Sequence, residues 1–191
     1  MGLREVNMKK RNRFLSRFSI FDLVIIAILS ALGVATKPII VPLVHIITGP
    51  LFIPGGAIAG GFYMMWIVLG AGFVKKTGAA TLIGLVQGIL VISTGIIGTH
   101  GIMSIASYTI PGIVVDIVFL FSKDKNFNIL HYVFGTMAAN VSGTLIANIL
   151  FFRLPKVTVV LILASAALSG ALGGIIVWGI NQGLEKIDIN L

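Results

Sequence analysis

The sequence predicts an all-α membrane protein with six transmembrane helices and with both termini in the cytoplasm. Apolar residues make up 57% of the 191 residues and charged residues only 10%, which is outside the balance of a soluble domain. Short loops divide the apolar part of the chain into segments close to the roughly 20 residues needed to cross a bilayer. The basic residues fall mainly on one predicted side of the membrane, which sets the orientation.

Six apolar segments are the predicted membrane spans. They lie at 20–37, 55–74, 78–96, 103–122, 129–152 and 157–182. Many of the 23 glycines lie at small-residue spacings within these segments, as tightly packed transmembrane helices favour. We therefore divide the chain into a basic cytoplasmic N-terminus at 1–19, a six-helix transmembrane domain at 20–183 and a cytoplasmic tail at 184–191.

The basic N-terminus before the first apolar segment also fits a signal peptide. The segment is long, however, ends in Lys37-Pro38 and lacks a persuasive small-residue cleavage site. We therefore interpret it as a retained first helix of a multi-pass protein of the cell membrane, surrounded by lipid.

The lysines and arginines predict which ends of the helices face the cytoplasm. With the N-terminus inside, eleven of the 14 lie on the cytoplasmic side. These are Arg4, Lys9, Lys10, Arg11, Arg13, Arg17, Lys75, Lys76, Lys123, Lys125 and Lys186. The three on the outer side are Lys37, Arg153 and Lys156. This asymmetry follows the positive-inside rule and explains the net charge of +8 without nucleic acid as a partner.

The segment from Lys37 to Gly56 is apolar but rich in proline. It contains Pro38, Pro42, Pro50 and Pro54. Prolines at this density predict irregular backbone rather than a regular helix, on the outer side after the first helix. Two compatible interpretations remain open: a linker that packs over the outer helix ends, or a lid over a pocket. His45 would lie near the outer surface or at the rim of that pocket.

The first span carries a strip of small residues, Ala27, Ala31 and Ala35. Residues four apart lie on one helix face, so these alanines allow another helix to approach closely. That helix belongs either to this chain or to a partner subunit.

Asp116 is the one carboxylate placed clearly inside a predicted span. Ionisable groups at membrane depth are costly and usually face a cavity or a partner. Asp116 is therefore either part of a structural pair or the counter-charge for a cationic or amino-bearing ligand.

Other aromatic and polar residues of the spans have the chemistry that binds a small planar ligand. With Asp116, the predicted substrate-binding residues are Tyr63, Trp66, Gln87, His100, Tyr108 and Asn140. Each of them is also suited to a helix-to-helix hydrogen bond or contact, and Gln87 and Asn140 fit that role best.

Catalytic and metal-binding motifs are missing from the sequence. It has no phosphate-binding loop, no H-E-x-x-H motif, no cysteine and no histidine near the middle of a span. We therefore expect no enzymatic activity, no metal site and no cofactor.

The chain resembles the substrate-binding S components of energy-coupling factor (ECF) vitamin transporters. Its size, its six spans and the strip of three alanines carry this resemblance over essentially the whole chain. The stretch Lys76-Thr77-Gly78-Ala79-Ala80, Trp66 and the run 112–120 are similar to the YkoE-like thiamin and hydroxymethylpyrimidine branch. That branch has an acidic residue in a comparable stretch, which corresponds to Asp116.

The resemblance implies how the work of transport would be divided among subunits. This chain would bind a vitamin or vitamin precursor from outside, with thiamin or hydroxymethylpyrimidine favoured. A transmembrane coupling subunit would dock on the alanine strip, and two cytoplasmic ATPase subunits would drive release. The alternatives are a small membrane scaffold subunit without a ligand and, less favoured, an intramembrane enzyme.

Overall fold

The computed structural model describes residues 15–51, 55–95, 101–122 and 126–188, and these residues form a bundle of six long helices. The helices are α1 (Ile20–Thr48), α2 (Gly55–Val74), α3 (Ala79–Thr94), α4 (Met103–Leu120), α5 (Ile129–Ala147) and α6 (Lys156–Asp188). A 3₁₀ turn at Gly49–Leu51 follows α1, and a π-helical turn at Asn148–Phe152 extends α5. The described residues contain no strand.

Helix α2 lies at the centre of the bundle and packs against α1, α3, α5 and α6. In the most apolar 18-residue stretch of α2, 67% of the residues are buried, compared with 28% in that of α1. Close approach to α6 depends on Gly61, whose backbone N–H donates to the Ser169 hydroxyl at 3.0 Å. A Cβ at Gly61 would overlap the Ser169 carbonyl oxygen, so this contact requires glycine.

The predicted spans agree with the helices at most boundaries. Five helices are long and apolar enough to cross a membrane, judged by length and composition, and α3 is shorter at 16 residues. The outward surfaces of the bundle expose large apolar side chains, as a lipid-facing surface requires, including Ile28, Ile117, Leu168 and Leu172. The chain is a multi-pass membrane protein. Which ends of the helices face the cytoplasm remains a prediction.

The prediction of irregular backbone after Lys37 is wrong for residues 37–48. Helix α1 continues through Pro38 and Pro42 to Thr48. Each proline removes only one N–H donor, and transmembrane helices tolerate this loss because neighbouring groups satisfy the freed backbone. Residues 52–54 lie outside the described part of the chain, and the lid interpretation stays a prediction.

At the end of the bundle opposite Thr48, the contacts of Asp22 hold the start of α1 in place. Ser19 and Asp22 form a reciprocal capping box at the start of α1. The Asp22 carboxylate also forms an ion pair with Lys76, in the turn between α2 and α3. These contacts fix the start of α1 against that turn. Residues 1–14 and 189–191 are outside the described range, so the predicted basic N-terminus is only partly visible.

Candidate functional site

A cavity of about 500 Å³ lies at the end of the bundle where α1 terminates. The C-terminal parts of α1 and α5 and the N-terminal parts of α2, α4 and α6 surround it. Its volume is within the range of small-molecule binding sites. Most of its wall is apolar, and a small number of polar side chains reach into it.

Helix α1 contributes one face to the cavity. Lys37, Val41 and His45 all line it, and their spacing of four residues places them one above another on that face. The helix has to continue through Pro38 and Pro42 to produce this alignment. Residues 37–48 of the proline-rich segment therefore form a helical wall of the cavity, and His45, which is exposed, lies at its rim.

The ammonium group of Lys37 is the charged centre of the cavity. It donates a hydrogen bond to the Tyr108 hydroxyl. It also lies 4.7 Å from the ring centroid of Tyr108 and 5.3 Å from that of Tyr63, distances typical of cation–π contacts. None of the described residues that line the cavity is an aspartate or a glutamate.

Two tyrosines form the aromatic part of the wall. The Tyr63 hydroxyl donates to the Gly56 carbonyl oxygen at 3.1 Å, which fixes the start of α2 against the ring. Tyr108 is buried at the interface of α3 and α4, where a Cβ at Gly84 would overlap its carbonyl oxygen. Close helix packing therefore holds both rings in place beside Lys37.

Helix α5 and the turn after it close the opposite side of the cavity. Thr144, Ala147 and Phe152 line this side. The Asn148 side chain accepts a hydrogen bond from the Leu154 backbone N–H at 3.0 Å and so terminates the π-helical turn. π-Helical turns are frequent at functional sites, and this one directs the chain so that Phe152 reaches the cavity.

Of the seven predicted binding residues, the structure brings Tyr63 and Tyr108 to the cavity. Trp66 lies outside its lining. The Trp66 indole donates to the Thr36 hydroxyl at 3.0 Å and braces α1 against α2 next to Lys37. His100 lies outside the described residues.

Gln87 and Asn140 are buried between helices and do not line the cavity. The Asn140 amide donates to the carbonyl oxygens of Ala57 and Ala166 at 2.9 and 2.8 Å and links three helices. The Gln87 amide packs against Gly33 of α1, with no hydrogen-bond partner for its Nε2 among the described residues. Both positions support the structural interpretation.

Asp116 lies at the opposite end of the bundle from the cavity. Its carboxylate accepts hydrogen bonds from the backbone N–H groups of Gly78 and Thr81, at 3.1 and 2.9 Å, and from the Thr81 hydroxyl. These N–H groups belong to the first turn of α3, where backbone donors lack helical partners and the helix dipole favours a negative charge. Asp116 thus caps α3 from α4, which supports its structural interpretation.

Sequence reasoning missed Lys37 as a binding candidate. Because Pro38 follows it, the sequence places Lys37 at the outer end of a helix, whereas the helix continues for eleven more residues. A signal was present in the sequence, since no other Asp, Glu, Lys or Arg occurs between Asp22 and Lys75. A single charge in so long an apolar stretch indicates a functional site.

The strip of Ala27, Ala31 and Ala35 is exposed on the surface of α1. The buried side of this helix carries Ile26 and Val34 instead. No described helix of this chain covers the strip, so it is available to lipid or to a partner.

Residues 21–142 match a family model described as the permease component of an ABC-type cobalt transport system. The chain belongs to this family. The matched region contains most of the cavity and the whole of the alanine strip. No curated protein matches this chain in sequence.

The fold of this chain is also that of a solved protein. The crystal structure of an S-component of an ECF transporter superposes on it with a TM-score of 0.74 at 18% identity. The superposition covers 90% of this chain and 88% of the other. The expected all-helical S-component fold is confirmed, and the thiamin branch remains a prediction.

Proposed function

We propose that this chain is the membrane-embedded substrate-binding subunit of an ATP-driven importer, and that its cavity binds a small, vitamin-sized organic molecule. The observation that carries this proposal is the cavity itself. It combines about 500 Å³ of space, an apolar wall and a few fixed polar groups centred on Lys37. A scaffold subunit without a ligand would have no need of such a cavity.

The aromatic wall favours a planar ring in the ligand. Tyr63 and Tyr108 present aromatic faces, and such faces stack well on heterocycles. Thiamin and hydroxymethylpyrimidine are the candidates that the family resemblance implies. Because Asp116 lies at the other end of the bundle and Lys37 is cationic, the cavity suits the pyrimidine better than the positively charged thiazolium ring.

Divalent cobalt is the second candidate, because the family is described as a cobalt transport component. Cobalt binds well to imidazole and carboxylate ligands. The described lining offers the His45 imidazole, no carboxylate and the cationic Lys37, which repels a metal ion. The part of the chain that the structure describes holds no group of three or more histidine, cysteine, aspartate or glutamate side chains suited to a metal. An organic ligand is therefore favoured.

The exposed alanine strip supports a docking role for α1. Small side chains at Ala27, Ala31 and Ala35 allow the backbone of a second helix to approach closely. We propose that a transmembrane coupling subunit docks there and connects this chain to two cytoplasmic ATPase subunits. The energy for transport would come from those subunits, since the sequence has no phosphate-binding loop.

Purified full-length protein in detergent can decide between these ligands. After denaturation, mass spectrometry of the released small molecules should identify a planar heterocycle in near-stoichiometric amount. Isothermal titration with hydroxymethylpyrimidine, thiamin and cobalt(II) chloride should show no saturable cobalt binding. Stoichiometric cobalt binding that His45→Ala abolishes would contradict an organic ligand, and protein that binds no small molecule would support the scaffold alternative.

A further inference from the structure

We propose that the preferred ligand carries an anionic group, a carboxylate or a phosphate, which pairs with the Lys37 ammonium in the cavity. This inference rests on the proposed function and adds the charge of the molecule that the cavity selects.

The position of Lys37 makes its charge hard to explain without an opposite charge. Lys37 precedes the end of α1 at Thr48 by eleven residues, so its Cα lies about 16 Å from that end along the helix axis. The side chain is half-buried between α1, α2 and α4. Placing a charged amine in such surroundings is unfavourable unless an opposite charge or strong acceptors compensate it.

The described residues supply no opposite charge at this end of the bundle. Asp22 and Asp116 lie at the other end, where both are already bonded. The loops closest in sequence to the cavity, 52–54 and 96–100, contain no aspartate or glutamate. No acidic residue occurs between Asp22 and Asp116 or between Asp124 and Glu185. The described part of the chain therefore offers Lys37 no counter-charge, and an anionic ligand can supply one.

The hydrogen bonds of Lys37 also leave room for a ligand. An ammonium group has three N–H donors. Within the described part of the chain, its hydrogen-bond acceptor is the Tyr108 hydroxyl, and the two tyrosine rings contribute only cation–π contacts. Two donors thus remain for a ligand. A carboxylate or a phosphate accepts them with charge-assisted hydrogen bonds, which are stronger than those of a neutral group.

The surrounding side chains agree with an anionic group at this position. Ser107 and Thr144 bring hydroxyl groups to the same cavity, and the His45 imidazole lines its rim. The Thr144 hydroxyl and the His45 imidazole can donate a hydrogen bond to an oxygen anion. The Ser107 hydroxyl donates to the Ser104 carbonyl oxygen at 3.3 Å and would have to turn from that acceptor to reach an anion. The tyrosine rings beside Lys37 would contact the ring of the ligand. One molecule would then occupy both the polar and the aromatic part of the cavity.

Matched pairs of probes that differ in charge test the inference on the detergent-solubilised full chain. The pairs are nicotinate and nicotinamide, pantothenate and panthenol, and hydroxymethylpyrimidine phosphate and hydroxymethylpyrimidine, with thiamin as the cation. Isothermal titration should show at least one anionic member binding about tenfold more tightly than its neutral partner. The carboxylate pairs and the phosphate pair identify which anion is preferred.

Variants of Lys37 test whether that residue provides the preference. Lys37→Met should weaken the anionic member about tenfold or more and leave its neutral partner within about threefold. Lys37→Arg should retain the preference, and Lys37→Gln replaces Lys37→Met if the latter does not fold. Lys156→Met is the matched control, because Lys156 is exposed at the same end of the bundle and does not line the cavity.

Two results would overturn the inference while the proposed function stands. One is tighter binding of a neutral probe or of thiamin than of every anionic probe. The other is an anion preference that survives in Lys37→Met. If no probe binds, a metabolite extract separated by ion exchange is tested by native mass spectrometry. Binding from the anionic fraction alone, lost in Lys37→Met, supports the inference, and binding from another fraction overturns it. No binding from any fraction overturns the proposed function as well.

Discussion

The two ends of the helix bundle differ in how completely their charged side chains are hydrogen-bonded. At one end, the Asp116 carboxylate accepts three hydrogen bonds from Gly78 and Thr81 and borders only a small cavity of about 80 Å³. At the other end, Lys37 has the Tyr108 hydroxyl as its acceptor and faces a cavity of about 500 Å³. A buried charge whose hydrogen bonds are all formed within the protein has a structural role. A half-buried charge with unused hydrogen-bond donors beside a cavity is available for a ligand.

The orientation of the two ends in the membrane gives the largest expected contrast. The sequence contains no cysteine, so single cysteines can be introduced without a background. In intact cells, an impermeant thiol reagent should label Lys156→Cys, at the cavity end, and leave Lys75→Cys, at the Asp116 end, unlabelled until the membrane is permeabilised. External labelling at position 75 would reverse the predicted topology and direct the cavity to the cytoplasm.

Removing the carboxylate of Asp116 should destabilise the protein without touching the cavity. Asp116→Ala leaves the Gly78 and Thr81 N–H groups without an acceptor, and we expect a loss of about 3 kcal/mol in the free energy of unfolding. Denaturant unfolding in detergent measures this loss. Ligand binding by the protein that remains folded should be unchanged. A stable Asp116→Ala protein that no longer binds would return Asp116 to the binding site.

Removing the charge of Lys37 should have the opposite effect on stability. In the absence of ligand, Lys37→Met should leave the free energy of unfolding unchanged or raise it by about 1 kcal/mol, because an unpaired half-buried cation is replaced by an apolar side chain of similar length. Thermal unfolding of ligand-free protein tests this. A marked destabilisation would show that the contacts of Lys37 with Tyr63 and Tyr108 are structural.

The alanine strip provides a third surface, where the smallest effect on the isolated chain is expected. Because Ala31 is exposed, Ala31→Trp should change the stability of the isolated chain by no more than about 0.5 kcal/mol and should leave ligand binding intact. Co-purification with the coupling subunit should be lost. Ala164→Trp, on the exposed surface of α6, is the matched control and should preserve assembly. Normal assembly of Ala31→Trp would exclude the strip as the docking surface.

The sequence predicted the helices well because each depends on a local apolar run. It failed at Pro38 and Pro42, since tolerance of proline in a membrane helix depends on how neighbouring groups satisfy the backbone. Asp116 lies within α4 and is buried, as its place in a predicted span indicates. Its role was not decided, because the carboxylate meets the first turn of α3 only when α3 and α4 pack together.

The candidate site was also only partly predictable from the sequence, because it depends on how the helices pack. Tyr63 and Tyr108 were predicted from their chemistry, whereas their convergence on Lys37 requires the arrangement of α1, α2 and α4 around one cavity. No periodicity in the sequence specifies which helices are neighbours. The strip from Ala27 to Ala35 was recognisable as a surface, and the fold was needed to show that no described helix of the chain covers it.

The central claim is that the cavity beside Lys37 holds the ligand, and filling it tests this most directly. Ala147 lines the cavity, so Ala147→Trp would occupy space that a ligand requires. Native mass spectrometry of the protein purified from cells should show bound small molecule on wild type, on Asp116→Asn and on the control Ala164→Trp. Ala147→Trp should lose it, with affinity reduced about 100-fold, which corresponds to about 2.8 kcal/mol. Undiminished binding by a folded Ala147→Trp protein would contradict the account and place the ligand elsewhere.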